Sequence, residues 1–157
     1  MSIDTILGAI QGTGLSRWVA KADHLFTAGL QVVHVIGFIL LLSSLLLISL
    51  RLLGLIFKQQ PVAQIARETL RLLWLGLALA VFTGLVMFIG APRHYAYNPA
   101  FVAKMVLLVM AVIVQAALFG RVAASETPRP ALARAGVALA VFFWFGVSLA
   151  GRAIGFV

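Results

Sequence analysis

LFTAGLQVVHVIGFILLLSSLLLISL, residues 25–50, is 26 residues without a formal charge, broken only by the imidazole of His34. A helix rises 1.5 Å per residue, so about 20 residues cross the ~30 Å hydrocarbon core of a bilayer. Inside lipid every backbone polar group must be paired internally, which leaves helices or closed barrels. A barrel strand alternates polar and apolar residues, and this stretch does not. It reads as a transmembrane helix. Three more uncharged runs follow, at 72–92, 105–120 and 135–151. The shorter two lengthen if Lys104 and Arg121, and Arg134 and Arg152, snorkel from their ends. The expected spans are 24–51, 69–91, 99–121 and 133–153. The expected fold is an all-α integral membrane antiparallel four-helix bundle occupying residues 21–157, because the connections are short.

Composition agrees. Of 157 residues, 63% are hydrophobic and 10% charged, against roughly 25% charged in soluble domains. Mean hydropathy is +1.12. A small soluble domain cannot hide so much apolar surface. A water-soluble enzyme, a disordered chain and a nucleic-acid-binding domain are excluded. The net charge of +8 is read as basic residues flanking membrane spans. There is no cysteine, which removes disulfides, thiolate metal sites, iron–sulfur clusters and covalently attached haem. Asp4, Asp23, Glu68 and Glu126 are the only acids, so a carboxylate proton relay within the membrane is excluded as well.

The punctuation marks the connections. Gln59-Gln60-Pro61 breaks the chain after the first span, and Thr127-Pro128-Arg129-Pro130 separates the third from the fourth. Asn98-Pro99 reads as an N-cap followed by proline at the first helical position. Ile3, Ile6, Leu7 and Ile10 recur at helical spacing, so residues 1–20 are expected to hold a short interfacial helix ended by Gly12-Thr13-Gly14. They lack the basic start and long apolar stretch of a signal peptide, and the first span is expected to act as the insertion signal. Arg51, Lys58, Arg67, Arg71, Arg121, Arg129 and Arg134 fall on one side of the membrane. Arg17, Lys21, Arg93, Lys104 and Arg152 fall on the other. The positive-inside rule then places both termini on the periplasmic side of a bacterial inner membrane.

Chemistry is left to few groups. His34 stands ten positions into the first span, about 15 Å deep. A titratable ring there needs a partner, either a hydroxyl or carbonyl across the bundle or a metal. Gly37, one turn away on the same face, leaves space for a flat macrocycle or for close approach of another helix. His24 reads as an interfacial anchor or a ligand; Asp23, its chain neighbour, is not expected to face the same way on a helix. His94 reads as a loop histidine or a second ligand. Antiparallel packing brings its loop to the side where the first span begins. Two of the three histidines would make a bis-histidine haem b. Copper is the alternative metal, aided by Met87 and Met105. Lys104, one turn into the third span, either snorkels or turns inward to meet a haem propionate or another anion. Arg93 and Arg152 are candidates for the same role.

The pattern His34-Val-Ile-Gly37, Leu50-Arg-Leu-Leu-Gly54, Asn98-Pro-Ala-Phe-Val-Ala-Lys104 and Gly151-Arg152 resembles a bacterial family of small four-span membrane proteins akin to the CopD-like group. That group includes the HemJ-type protoporphyrinogen oxidases, with a histidine on the first helix and a lysine heading the third. The resemblance implies a bound haem b, His34 as its ligand and Lys104 as essential. The leading expectation is a membrane b-type cytochrome passing electrons between the quinone pool and a periplasmic redox protein. The alternatives are a cofactor-free anchor or subunit of a larger membrane complex or homo-oligomer, copper handling, and a HemJ-like oxidase.

Overall fold

A computed structural model describes residues 2–119, 121, 125 and 130–157, and among these no strand occurs. The order is α1 (Ile3–Gln11), α2 (Gly14–Lys21), α3 (His24–Leu52), α4 (Val62–Gly90), α5 (Pro92–Ala96), α6 (Pro99–Val114) and α7 (Pro130–Ala153). The third spanning helix continues from α6 as a π-helical turn, Gln115–Phe119. A 3₁₀ turn, Ile154–Phe156, ends α7. Among the described residues, four segments are long and apolar enough to cross a membrane: His24–Leu52, Val62–Gly90, Pro99–Ala117 and Pro130–Phe156. The expected all-α, four-span architecture is the one found.

The ends differ from expectation in instructive ways. The second span begins at Val62, so Arg67 and Arg71 ride on the first turns of α4 instead of in a loop. At 29 residues this helix is about 44 Å long, longer than the hydrocarbon core, and its charged start projects beyond lipid. The stretch 92–96, expected as loop, forms the short helix α5 with Pro92 at its first position. Asn98 caps α6 as expected, its Oδ1 accepting from the Phe101 N–H at 3.1 Å. Its amide also donates to the carbonyls of Ile154 and Val157, which ties the end of the chain to this corner. The expected break at Thr127-Pro128-Arg129 lies outside the described residues.

The bundle is built from two antiparallel pairs. α3 packs along α4, α6 packs along α7, and α7 joins the pairs by lying against α3. Leu41, Leu45, Ile48, Leu73, Ala140, Trp144 and Val147 form the shared core. Trp144 is fully buried, with its ring edge-on to Phe38 and its indole N–H donated to Gln115 Oε1 at 3.3 Å.

The N-terminal segment docks on this bundle. Ser2 and Thr13 cap α1 and α2. Leu7, Ser16 and Val19 are buried. Ser16 Oγ donates to the Ile89 carbonyl at 2.7 Å, and Val19 packs on Gly90 at the end of α4.

The closest approach in the bundle is between α3 and α4. A β-carbon on Gly76 would stand 2.5 Å from the Gly37 carbonyl oxygen. One on Gly37 would stand 2.9 Å from the Gly76 carbonyl oxygen and the Ala80 nitrogen. These neighbours are backbone and cannot move aside. Lipid supplies no hydrophobic force between helices, so such contact is a main source of cohesion. Gly76→Ala should lower stability by about 1–3 kcal/mol, read as an earlier midpoint in unfolding by denaturing detergent. Gly29→Ala, where nothing lies within 4 Å, should leave the midpoint unchanged.

Candidate functional site

The Gly37–Gly76 contact sets the register of α3 on α4, and one turn nearer the His24 end of α3 it brings His34 onto Thr83. The two are 3.0 Å apart, Nδ1 to Oγ1. The Thr83 hydroxyl has a single proton, and it lies 2.8 Å from the Leu79 carbonyl of its own helix. A carbonyl can only accept, so the Thr83 proton goes there and the Thr83 oxygen is left to accept. His34 Nδ1–H is therefore the donor. In the neutral ring this leaves the Nε2 lone pair free. Gly84 lets the ring lie close: a β-carbon there would meet His34 Cε1 at 3.2 Å. His34 is half-buried.

Lys104 enters from α6. It too is half-buried, and its Cε and Nζ lie 3.5 Å from where a β-carbon on Gly151 of α7 would stand. The lysine therefore lies over Gly151 and turns into the bundle. His34, with Thr83 behind the imidazole, and Lys104, laid along Gly151, are two half-buried polar side chains of the membrane domain.

The other expected ligands are placed elsewhere. His24 is 85% exposed, with its Nδ1 2.6 Å from the Asp23 carboxylate. The expectation that these neighbours diverge is corrected, because Asp23 is not helical. It is the N-cap of α3, with extended backbone (φ −56°, ψ 151°) that turns its side chain back to the first helical residue. His94 is exposed on α5 with its ring edge-on to Tyr95. No hydrogen bond among the described residues joins two of the histidines, and no cluster of three or more His, Asp or Glu side chains is present among them. Ten residues of helix separate His24 from His34, about 15 Å. Arg152 lies over the Phe156 ring, 4.7 Å from its centroid. Arg93 is exposed, with one guanidinium nitrogen near Gly8 of α1. Met105 lines an apolar groove on the outer face of α6 with Val106, Val109 and Met110. Of the expected histidines and cations, only His34 and Lys104 are half-buried among the spanning helices. Gly37 is filled by α4, so the space there belongs to helix approach.

Thr83 is not singled out in the sequence, and its hydroxyl bonds the carbonyl four residues back in its own helix. Its role beneath His34 depends on the α3–α4 register, which no local pattern carries.

The site sits beneath the α1, α2 and α5 corner. Phe88 stacks on Phe101 at 5.6 Å, with Tyr95 against both rings, which closes α4, α5 and α6 over it. Outside this aromatic layer Tyr97 donates its hydroxyl to Asp4, which fastens α1 to the end of α5.

The chain belongs to the family of unknown function DUF6644, whose model matches residues 13–157. The match takes in all three histidines and Lys104, and the family description assigns no activity. No curated protein and no solved structure matches the chain.

The Tyr97–Asp4 contact can be titrated. The hydrogen bond to the Asp4 carboxylate is the main cause that holds the Tyr97 phenol above its ordinary value. A raised folded value means that the contact is intact below the ordinary phenol range and is lost as pH rises through the raised one. In a Tyr95→Phe background, phenolate absorbance at 295 nm should report Tyr97 alone. Asp4→Asn should move its midpoint down toward the ordinary value.

Proposed function

We propose that the chain is a membrane protein that binds one b-type haem through His34, with Lys104 as the cation facing a propionate. The observation that carries this reading is the orientation of the imidazole. A metal-binding histidine donates its other N–H to a fixed acceptor, which sets the tautomer and the ring plane. The Thr83 oxygen is such an acceptor, and the lone pair left on Nε2 is the one an iron needs. The resemblance to the CopD-like group, drawn from the same two residues, points the same way. His24 and His94 are engaged elsewhere, so the reading is of a single histidine ligand from this chain, not a bis-histidine pair.

A bound haem would supply one-electron chemistry. The protein's part would be to hold and tune it. Thr83 would fix the imidazole, burial would lower the local dielectric, and Lys104 would balance an anionic edge. The electron path would run between the quinone pool and a periplasmic redox protein, in a bacterial inner membrane with both termini on the periplasmic side. A cofactor-free anchor is the second reading. It is favoured by the backbone contact at Gly37 and Gly76, which shows the helices can close on one another without a filler.

Protein purified in mild detergent should show a Soret band and about one iron per chain. His34→Ala should abolish both. Thr83→Val should retain less haem and shift its potential, while Lys104→Met should shift the potential with the haem retained. Colourless wild-type protein, expressed with haem in excess, would leave the anchor reading.

A further inference from the structure

A second feature lies outside the bundle and owes nothing to the His34 site. Gly14, Arg17, Trp18, Lys21, Asp23 and Phe26 line an open cleft of about 570 Å³ where α2 meets the start of α3. Arg17 and Lys21 are one turn apart on α2 and share a face. Both are exposed. The opposite face of α2 is fixed, since Ser16 is bonded to the Ile89 carbonyl and Val19 is seated on Gly90. The two cations are thus held outward by a docked helix.

Beside them Trp18 and Phe26 pack edge to face at 5.3 Å, yet Trp18 is 60% exposed. Exposed tryptophan beside basic residues is the composition of a membrane–water interface. The next residues enter the first spanning segment at His24, so the cleft lies at the edge of the hydrocarbon.

We propose that this cleft seats the headgroup of an anionic phospholipid. Arg17 and Lys21 would contact the phosphate, and Trp18 with Phe26 would pack along the glycerol and the top of the acyl chains. Charge selects the kind of lipid. Two cations against the Asp23 carboxylate leave one net positive charge, which matches a phosphodiester carrying one negative charge. His24 already engages Asp23, so that carboxylate is drawn away from the incoming phosphate. A zwitterionic headgroup brings no net charge to balance.

Each basic side chain near an anionic lipid surface strengthens binding about 5-fold, so the pair should give on the order of 30-fold. The test is native mass spectrometry of the full chain in neutral detergent, titrated with phosphatidylglycerol or phosphatidylcholine. The expected result is one phosphatidylglycerol adduct bound about 30-fold tighter than phosphatidylcholine. Arg17→Gln/Lys21→Gln should erase that preference, and Arg17→Lys should keep it. Arg67→Gln/Arg71→Gln, at the far end of α4, should also keep it. The proposal is overturned if wild-type protein shows no preference, if the double variant retains it, or if the far-end control loses as much. Displacement of the lipid by millimolar inorganic phosphate would also overturn it, since the cleft would then take a free anion.

Discussion

The imidazole of His34 is positioned by two glycines pressed together. Gly37 and Gly76 let α3 and α4 meet backbone to backbone. In lipid, where burying a leucine against a leucine gains little over leaving it among acyl chains, close packing and interhelical hydrogen bonds hold helices together. The contact fixes the rotation of each helix and the register between them. One turn along, His34 must then face Thr83 and Gly84. A residue with a side chain at either contact would push the helices apart and move the imidazole off its acceptor. The polar site is therefore a consequence of packing.

That dependence explains what could be read from the chain and what could not. The four spans were legible because transfer of apolar residues into lipid is additive along the sequence and needs no partner. The start of α4 was misplaced for the same reason. Arg67, Glu68 and Arg71 end the hydropathy signal, but Val62, Ile65 and their neighbours before residue 69 still form helix. Helix propensity and lipid affinity are separate quantities, and the run of charges marks the limit of the second only. α5 was hidden because five residues carry too little periodicity, and Pro92 looks like a break until its place at the first helical position is seen. Asp23 and His24 were assigned to different directions on the assumption that both were helical. An N-cap residue turns back on its helix, and the pair meets.

The histidines show the limit most clearly. Their gathering toward one membrane face was legible from depth alone. Their separation on that face was not, because each finds a nearer partner first. His24 has a carboxylate beside it and water around it, so it has no reason to enter the bundle. His94 is held on α5 by the ring of Tyr95. Only His34, set within the bilayer, has no water to turn to and must be satisfied from another helix. The same logic separates the cations. Arg152 has Phe156 within reach and Arg93 is exposed, whereas Lys104 lies along Gly151, where the missing side chain leaves a channel for its stem.

Two kinds of order meet at the α1, α2 and α5 corner. Within the bilayer, cohesion rests on glycine contacts and a few buried groups, and two of these, Ser49 Oγ and Gln115 Nε2, have no hydrogen-bond partner among the described residues. At the corner it rests on directed hydrogen bonds: Ser16 to the end of α4, Asn98 to the end of the chain, Tyr97 to α1. Helix ends leave carbonyls unpaired, and at a membrane surface these are the acceptors a short amphipathic segment can use. Ile89 supplies one at the end of α4, and Ile154 and Val157 supply two where the chain closes. α2 docks by completing what the end of α4 leaves open. That is why α2 has a fixed orientation at the interface despite its eight residues, too few to hold a helix in water without such support.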